Sequence, residues 1–495
     1  MTAAGSGERL AAYRAVREEI ERGVLPLASS VDGHRFAFQA SLYDLRLQAG
    51  GYVVLGDDRL GQILTLGLAG VDSAELGAAD LSLHVRAASG DGVVLDGAAA
   101  PFHDAAVRPA RPDEVQAWLE RIQPRRASLE IGEQLLATGV PARLDAGGFD
   151  RHTFLCGQSG SGKTYSLGLV LERLLLETSL RIVILDPNSD HVRLREGRAG
   201  GDPGLAARYA EAARGVAVRR GGAGEDRIRL RFAELDSISR AALLGLDPIA
   251  DRKEYAALSS ILETQVEGRQ LNTSLNALLT SEQPGAHALG LRAANLGVLD
   301  WSVWARDDPG SLLQELEHGE RRCLVVDLGS LDTQQEQALV AEAVLSTLWR
   351  LRARRVPVLV VIDEAHNVCP AEPRDAVTAI AAEHVIRIAA EGRKFGLYLL
   401  LSTQRPQKLQ ENALSQCDNL LLMRMNSAAD LEFLRGVFSF VPGGLIERAS
   451  TFGQGEALVA GKLASHAGYV RFGARLAEEG GADVPTAWAA VPVRS

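Results

Sequence analysis

One octapeptide, residues 157–164, constrains the fold of this chain more than any other segment. It reads Gly-Gln-Ser-Gly-Ser-Gly-Lys-Thr, follows the apolar run 153–156, and precedes a helical pattern that extends to residue 177. A loop of this kind needs a strand before it and a helix after it, because its glycines let backbone N–H groups curl around a phosphate. The segment therefore predicts a phosphate-binding loop in an α/β nucleotide-binding domain.

Lysine is scarce in the chain, which makes its occurrence in this loop more informative. Lys163 is one of only five lysines, with Lys253, Lys394, Lys408 and Lys462. We expect Lys163 to bridge the β- and γ-phosphates of ATP and the Thr164 hydroxyl to bind Mg²⁺. The candidate cofactor-binding residues are Gly157, Gln158, Ser159, Gly160, Ser161, Gly162, Lys163, Thr164 and Tyr165.

A second motif, Val360-Val361-Ile362-Asp363-Glu364, supplies the acidic groups that ATP hydrolysis needs. An apolar strand would deliver Asp363 to its carboxyl end, where the carboxylate can hold the Mg²⁺ shell, and Glu364 could polarise the attacking water. The alternative is a solvated acidic pair after a strand. Since a pure nucleotide switch needs no base at this position, Glu364 indicates turnover.

Two further polar segments follow predicted strands. Asp186 opens the segment 186–190, and it could orient water or Mg²⁺ or act in a turn or helix cap. Thr403 and Gln404 lie in the segment 402–406, where either could sense the γ-phosphate or simply cap the strand end. Both interpretations remain open for each segment.

The region 25–107 differs from the rest of the chain. Short apolar runs at 36–38, 45–47, 52–55, 63–64 and 81–85 are separated by glycine and aspartate pairs. Short strands at this spacing predict a small β-barrel, with residues 108–112 as the linker that closes it.

From about residue 150, apolar runs alternate with helical sequence. The predicted strands lie at 153–156, 182–185, 323–326, 358–362, 397–401 and 420–423, and predicted helices include 164–177 and 335–352. Continuous apolar runs of this length favour a parallel sheet flanked by helices. Residues 190–320 read as a mostly helical insertion, with helices at 237–244 and 256–268. The predicted boundaries are a helix in 1–24, the barrel in 25–112, the ATPase core in 113–475 and an extended tail in 476–495.

Composition narrows the range of partners. The hydrophobic fraction is 46%, the charged fraction is 23% and the net charge is −10, so nucleic acid could contact only a local stripe, loop or pore. The four cysteines are far apart and lack metal-ligand spacing, which predicts buried thiols. No run approaches the roughly 18 apolar residues of a membrane span, and the N-terminal residues are polar, so we expect a cytoplasmic protein.

Five segments recur in the same order as in one known family: 151–153, 186–190, 361–367, 391–397 and 402–406. Together with the phosphate loop, they resemble the HerA branch of the HerA/FtsK superfamily of ring-shaped DNA-pumping ATPases. The resemblance covers nearly the whole chain and is weakest in 190–320. It implies a RecA-like P-loop NTPase core behind the N-terminal barrel.

The resemblance also implies an assembly. Members of the family form homo-hexamers with ATP bound between subunits and double-stranded DNA in the central pore. Arg151 matches the arginine that such a subunit donates to its neighbour's γ-phosphate, and Arg393 matches a second arginine at the same phosphate. Read without the resemblance, Arg151 could equally be a surface arginine.

DNA contacts are predicted for two arginine groups. Arg193, Arg195 and Arg198 form one, and Arg219 and Arg220 form the other. Either group could line a pore and contact phosphates without reading bases, or be simply solvated.

Three functions compete at this point. The leading hypothesis is a hexameric motor that translocates on or unwinds double-stranded DNA, with a NurA-type nuclease partner in DNA end processing. The second is an ATPase or scaffold subunit of an antiphage defence complex with a sirtuin-like NADase or a nuclease. The third, a conjugation or secretion ATPase, is disfavoured because membrane segments and a coupling module are not apparent. The neighbouring open reading frames would discriminate the first two hypotheses.

Overall fold

The computed structural model describes residues 10–12, 14–19, 22, 24–71, 85–97, 100–122, 127–200, 202–263, 278–305, 310–319 and 321–481. The chain divides into two compact units. The first unit contains residues 1–125, 130–143 and 424–472, and the second contains residues 126–129, 144–423 and 473–495. The predicted strand residues 81–84, the predicted helix residues 264–268 and the tail residues 482–495 lie outside the described residues. Of the predicted N-terminal helix, residues 10–12, 14–19 and 22 are helical.

Six antiparallel strands of the first unit close into the predicted barrel, with neighbours in the order β1-β2-β5-β4-β3-β6. The strands are β1 (Leu27–Ser30), β2 (Arg35–Ala40), β3 (Tyr52–Leu55), β4 (Arg59–Val71), β5 (Val85–Val94) and β6 (Phe102–Pro109). Burial alternates along β2, which places Phe36 and Phe38 in the barrel core. A Cβ atom on Gly92 would lie 2.1 Å from Phe36 Cζ, so the packing of this ring requires glycine.

Two details of the barrel differ from the prediction. Leu45 and Leu47 pack against the core from a loop and not from a strand, because apolar side chains of a connecting segment can fill a core without strand pairing. Arg108 and Pro109 belong to β6, where they pair with β3, and are not part of a linker. The chain enters helix α1 (Pro112–Ile122) directly afterwards.

Seven parallel strands form the sheet of the second unit, in the order β11-β12-β10-β13-β14-β9-β15. They are β9 (His152–Cys156), β10 (Arg181–Asp186), β11 (Val216–Arg220), β12 (Cys323–Asp327), β13 (Val358–Ile362), β14 (Leu397–Thr403) and β15 (Cys417–Met423). Every residue of β9, β12 and β13 is buried, which agrees with the predicted parallel sheet flanked by helices. The edge strand β11 was not predicted; it lies within the region read as helical.

Helices connect these strands. They are α2 (Lys163–Glu177), α3 (Pro203–Ala213), α4 (Ser237–Leu243), α5 (Arg252–Glu263), α6 (Pro284–Asn295), α7 (Leu312–His318), α8 (Gln334–Arg350), α9 (Ala376–Glu391) and α10 (Glu411–Leu414). The first unit also contains α11 (Ala428–Val437), α12 (Gly443–Glu447), β16 (Glu456–Gly461), β17 (Gly468–Phe472) and most of β7 (Ser128–Gln134) and β8 (Pro141–Asp145). All four cysteines are buried, as predicted. Within the described ranges, none of the helices has the length and apolar character that crossing a membrane requires.

Candidate nucleotide-binding site

The predicted site residues meet at the carboxyl ends of four neighbouring strands. Residues 157–164 follow β9, Asp186 ends β10, Asp363 follows β13 and Thr403 ends β14. These strands are consecutive in the sheet, so their carboxyl ends share one edge. Ligands of open parallel sheets bind at this edge.

The phosphate loop has the close curvature that its sequence predicts. Gly160 and Gly162 adopt left-handed backbone angles, with φ of 72° and 91°. A Cβ atom on Gly157 would lie 2.7 Å from Ser161 Oγ, so the loop turns back on itself. Ser161 Oγ is buried and has no hydrogen-bond partner among the residues that the structure describes. A buried hydroxyl of this kind is satisfied when a ligand enters the loop, so the loop fits a phosphate.

Lys163 joins the loop to the acidic motif. Its side chain is 4% exposed, and its Nζ donates to Asp363 Oδ1 at 2.7 Å and to Ser402 Oγ at 3.0 Å. Nζ also lies 3.2 Å from Glu364 Oε1. Burial disfavours the charged form, but Asp363 and Glu364 outweigh burial and raise the pKa of Lys163. The site therefore holds a protonated ammonium.

Asp363 is the acceptor at the centre of the site. Its Oδ1 also accepts from Ser402 Oγ at 2.7 Å and from Glu364 N at 2.9 Å. Burial alone would raise the pKa of Asp363, but Lys163 and His191 hold it far below its ordinary value, so the group is a carboxylate. Its other oxygen, Oδ2, lies 3.7 Å from His191 Nε2. That oxygen accepts no hydrogen bond within the described part of the chain.

Three carboxylates form a cluster beside the loop. Asp186, Asp190 and Asp363 offer oxygens that all lie within 4.8 Å of one another. Burial, and then repulsion from Asp363 and Asp186, raise the pKa of Asp190 to about 6. The Thr164 hydroxyl donates to Asp190 Oδ2 at 3.4 Å, so it borders the same cluster. Carboxylate oxygens fit Mg²⁺, which proteins hold through one or two carboxylates together with substrate phosphates.

Asp186 also has the turn role that the sequence left open. Its two oxygens accept from Asp190 N at 3.0 Å and from His191 N at 2.8 Å. These bonds hold the segment after β10 in a turn that directs Asp190 and His191 toward Asp363. Asp186 is thus both the support of the turn and a member of the carboxylate cluster.

Glu364 is held in a strained and well-defined position. Its φ of 41° lies in the left-handed region, which a residue with a Cβ rarely adopts. Its Oε1 accepts from Gln404 Nε2 at 2.8 Å, and Oε2 lies 3.3 Å from His366 Nδ1. Burial lowers the pKa of His366, which favours a neutral imidazole. The structure therefore brings together Glu364 and Gln404, two side chains that the sequence predicted separately.

Arg151 and Arg393 lie at the amino ends of their strands, whereas the nucleotide site lies at the carboxyl ends. Arg151 precedes β9 and Arg393 precedes β14, whereas the nucleotide loop follows β9. The five residues of β9 place Arg151 six residues before the loop, which separates the two Cα positions by about 20 Å at about 3.3 Å per residue. Both guanidinium groups form ion pairs with Asp418, Arg151 at 3.6 Å. The two arginines therefore share one surface, away from the phosphate loop of their own chain.

The residues 473–481 run beside the phosphate loop. Glu172 of α2 is buried and accepts from Arg475 Nε at 2.7 Å, from Leu476 N at 2.6 Å and from Ala477 N at 3.2 Å. The Tyr165 hydroxyl accepts from Arg475 N at 3.0 Å, so Tyr165 contacts this segment. Farther along, Gly480 N donates to the carbonyl oxygen of Asp190 at 3.1 Å. The segment thus packs on α2 and on the turn that carries the carboxylate cluster.

Sequence reasoning did not select Asp190, His191, Ser402 or Arg475 as site residues. Asp190 and Ser402 belong to the quoted polar segments, and His191 follows one of them directly. The sequence feature that could have identified these three residues is their position directly after the ends of predicted strands. Arg475 carries no local signal, because its partner Glu172 lies 303 residues earlier.

The arginines predicted to contact DNA differ in their partners. Arg219 donates to both carboxylate oxygens of Glu315 at 2.8 and 2.9 Å, and it also pairs with Asp226. Arg193 pairs with Glu196 at 2.8 Å. Arg220 Nε lies 4.0 Å from an Asp327 oxygen. Arg195 and Arg198 are exposed and have no acidic partner in the ranges that the structure covers.

Comparisons with known proteins agree with this geometry. Residues 129–289 match the family model described as Helicase HerA, central domain. The DNA double-strand break repair helicase HerA of Pyrococcus furiosus is 24% identical over 397 residues, 68% of this chain and 67% of that protein. The protein of the same name from Saccharolobus solfataricus is 24% identical over 379 residues, 73% of this chain and 71% of its own length. Among solved structures, the bacterial conjugative coupling protein TrwBdeltaN70 covers 75% of this chain and is itself covered to 93%, with 13% identity and a TM-score of 0.47.

The complete phosphate loop, the acidic motif, the family-model match and the two helicase relatives lead to one conclusion. They confirm the resemblance of the chain to the HerA-type ATPases, and the chain is a P-loop enzyme of the translocase and helicase type that binds and hydrolyses ATP.

Proposed function

We propose that the chain is one subunit of a hexameric ring that uses ATP hydrolysis to translocate on or unwind double-stranded DNA. The relatives named above are DNA double-strand break repair helicases, which supports DNA as the substrate and end processing with a nuclease partner as the setting. The observation that carries the proposal is the position of Arg151 and Arg393 at the amino ends of the strands, whereas the phosphate loop lies at the carboxyl ends. The cytoplasmic location remains a prediction.

The residues at the loop can hold ATP and Mg²⁺. Lys163 is positioned to bind the terminal phosphates. Asp363, a member of the carboxylate cluster, and Thr164, which borders it, are positioned to hold the metal ion. Bound Mg²⁺ would neutralise charge that develops on the phosphates. We assign Glu364 as the base for the attacking water, because its buried carboxylate accepts a hydrogen bond from the Gln404 amide, which orients it.

The two arginines favour a composite site. A charge stabiliser must lie within hydrogen-bond distance of the transferred phosphate, and about 20 Å along β9 separates Arg151 from its own loop. A neighbouring subunit in a head-to-tail ring can present Arg151 and Arg393 to that loop. The proposal rests on this incompatibility with a site completed within one chain.

We assign the DNA contacts to the arginines that have no acidic partner among the described residues. Arg219 is engaged on two sides by Glu315 and Asp226, so a DNA phosphate would have to displace existing ion pairs. Arg195 and Arg198 are exposed at the start of the same region and are the better candidates. We therefore expect Arg195→Ala and Arg198→Ala to weaken DNA binding and to reduce its salt dependence, by about one released counterion for each phosphate that is no longer neutralised. Arg193→Ala is the matched control, since Arg193 is already paired with Glu196.

Stimulation of hydrolysis by DNA tests the substrate. Phosphate release by the full chain should rise when duplex DNA is added, and Lys163→Ala should abolish it. If hydrolysis is robust but identical with and without duplexes of any length or end structure, the motor proposal is wrong. That outcome would favour the regulatory role in a defence complex.

Mixing two inactive variants tests the composite site. Glu364→Gln retains Arg151, and Arg151→Ala retains Glu364, so a mixed ring contains interfaces that combine both intact halves. An equal mixture should recover about a quarter of the wild-type rate if subunits assort randomly in a head-to-tail ring. The control mixture, Glu364→Gln with Lys163→Ala, has both defects in the same half of the interface and should stay inactive. No recovery in the first mixture would refute the role of Arg151.

A further inference from the structure

A second cluster of ligand-type side chains lies where α4, α8 and α9 pack together. Asp236 is the N-cap of α4, Glu342 lies in α8 and His384 lies in α9. Each offers one ligand atom, and the three atoms lie within 4.8 Å of one another. His384 Nε2 is 3.7 Å from Glu342 Oε1. The cluster shares no residue with the nucleotide site.

Glu342 has no partner that explains its burial. Its side chain is 0% exposed, and neither carboxylate oxygen accepts a hydrogen bond from any described residue. The neighbouring hydroxyls of Ser239 and Ser346 are used elsewhere, since they donate to Asp236 Oδ1 at 2.8 Å and to Ala343 O at 3.2 Å. A buried carboxylate without donors is costly unless it takes up a proton or a cation compensates its charge.

The imidazole beside it is suited to binding a metal ion. An imidazole nitrogen is a common metal ligand, and His384 Nε2 lies 3.7 Å from Glu342 Oε1. His384 Nδ1 is also buried and has no hydrogen-bond partner in the described structure. Asp236 is exposed, which gives an ion a route into the cluster from solvent.

We propose that Asp236, Glu342 and His384 form a binding site for a divalent transition-metal ion, with Zn²⁺ as the best fit. Zn²⁺ accepts imidazole nitrogen together with carboxylate oxygen, whereas Mg²⁺ and Ca²⁺ prefer oxygen ligands alone. Three protein ligands leave a position for water at the exposed side. The bound ion supplies the positive charge that Glu342 lacks.

An ion at this position would fasten three helices together. α8 leads to β13, the strand that delivers Asp363, and α9 ends at Glu391, two residues before Arg393. α4 belongs to the region inserted between β11 and β12. The site would therefore fix the inserted region to the two helices on either side of the acidic motif. This role does not depend on the chain acting on DNA.

Metal titration of the full chain tests the site. The protein is stripped with a chelator, returned to buffer with excess Mg²⁺ to fill the nucleotide site, and titrated with Zn²⁺ by calorimetry. Co²⁺ serves as a second, absorbing probe of nitrogen ligation. We expect one Zn²⁺ per chain and a rise in the melting temperature of about 5 °C at 100-fold excess over Kd. Loss of even an outer partner weakens metal sites about 10- to 100-fold, so His384→Gln should weaken binding at least tenfold.

Two further variants make the outcome decisive. Asp190→Asn removes a carboxylate of the nucleotide site, and His318→Gln removes an exposed histidine elsewhere in the second unit. Binding that survives both changes and is weakened at least tenfold in His384→Gln, with an unchanged far-ultraviolet spectrum, supports the site. Binding that depends on Asp190 instead, or the absence of Zn²⁺ binding at micromolar concentration, overturns it.

Discussion

The buried ion pair between Glu172 and Arg475 gives the sharpest stability prediction. Both side chains are 0% exposed. Glu172 is the acceptor of three hydrogen bonds, from Arg475 Nε and from two backbone N–H groups that follow it. Arg475 Nη1 and Nη2 have no other acceptor among the described residues, so Glu172→Ala leaves a buried guanidinium without compensation.

Removing one member of a buried pair costs about 3–5 kcal/mol. At about 2 °C per kcal/mol for a unit of this size, the melting transition of the second unit should fall by about 6–10 °C. The assay is differential scanning calorimetry of the nucleotide-free protein at neutral pH. Glu172→Ala combined with Arg475→Met should recover part of the loss, because a methionine fills the space without a charge.

Glu211 provides the matched control. It forms a 2.9 Å ion pair with Arg214, but the two side chains are 69% and 77% exposed. Glu211→Ala should change stability by less than about 0.5 kcal/mol. If Glu172→Ala lowers the transition no more than Glu211→Ala does, the C-terminal segment is not held by this pair and the reasoning is refuted.

Three further predictions test other parts of the structure. Gly168→Ala in α2 should lower the free energy of unfolding by about 1–3 kcal/mol, because the new Cβ would lie 2.4 Å from Arg475 Cζ. Gly436→Ala in α11 meets open space and should raise the free energy of unfolding by about 0.5–1 kcal/mol. Urea unfolding of the two variants measures both changes. Burial, and then Arg393, lower the pKa of His152 from 6.5 to about 4. Its contribution to the free energy of unfolding is therefore fully present above pH 6.5 and is lost as the pH falls toward 4. The total loss is about 3 kcal/mol. His152→Asn can still accept a hydrogen bond from Leu399 N. In this variant the melting temperature should fall less steeply between pH 6.5 and about pH 4. An unchanged slope would contradict the role of His152 in the pH dependence. Glu364→Gln should bind an ATP analogue with wild-type affinity within about threefold and lose at least about 100-fold in phosphate release, whereas equal loss of both would place Glu364 in binding and not in catalysis.

The parts of the fold that the sequence predicted are those with local signals. The loop at 157–164 combines glycines, a lysine and a flanking strand and helix within a few residues. β9, β10, β12 and β13 are continuous apolar runs, since both faces of the sheet are covered. The segments after these strands carried the polar residues of the site, because parallel strands bring their carboxyl ends together.

The missing parts depend on pairing between distant residues. β11 is an edge strand that ends in Arg219 and Arg220. Because it lacks the continuous apolar run of a central strand, the sequence pattern did not distinguish it from the helical region around it. The use of Asp418 by both Arg151 and Arg393 depends on the order of β14, β9 and β15 in the sheet, which no local pattern specifies. The metal-type cluster likewise joins Asp236 to His384, and only helix packing brings them together.

The Lys163 ammonium serves as a resident counter-ion for two buried carboxylates, Asp363 and Glu364. Drawing Lys163 toward a phosphate deprives both groups of that charge, and a buried carboxylate without a counter-ion is strongly unfavourable. A triphosphate that arrives without a cation therefore meets an electrostatic barrier, whereas one that arrives with a cation preserves electroneutrality around Asp363. We therefore expect the chain to bind a metal-bound nucleotide in preference to a metal-free one, because of the charges on Lys163, Asp363 and Glu364.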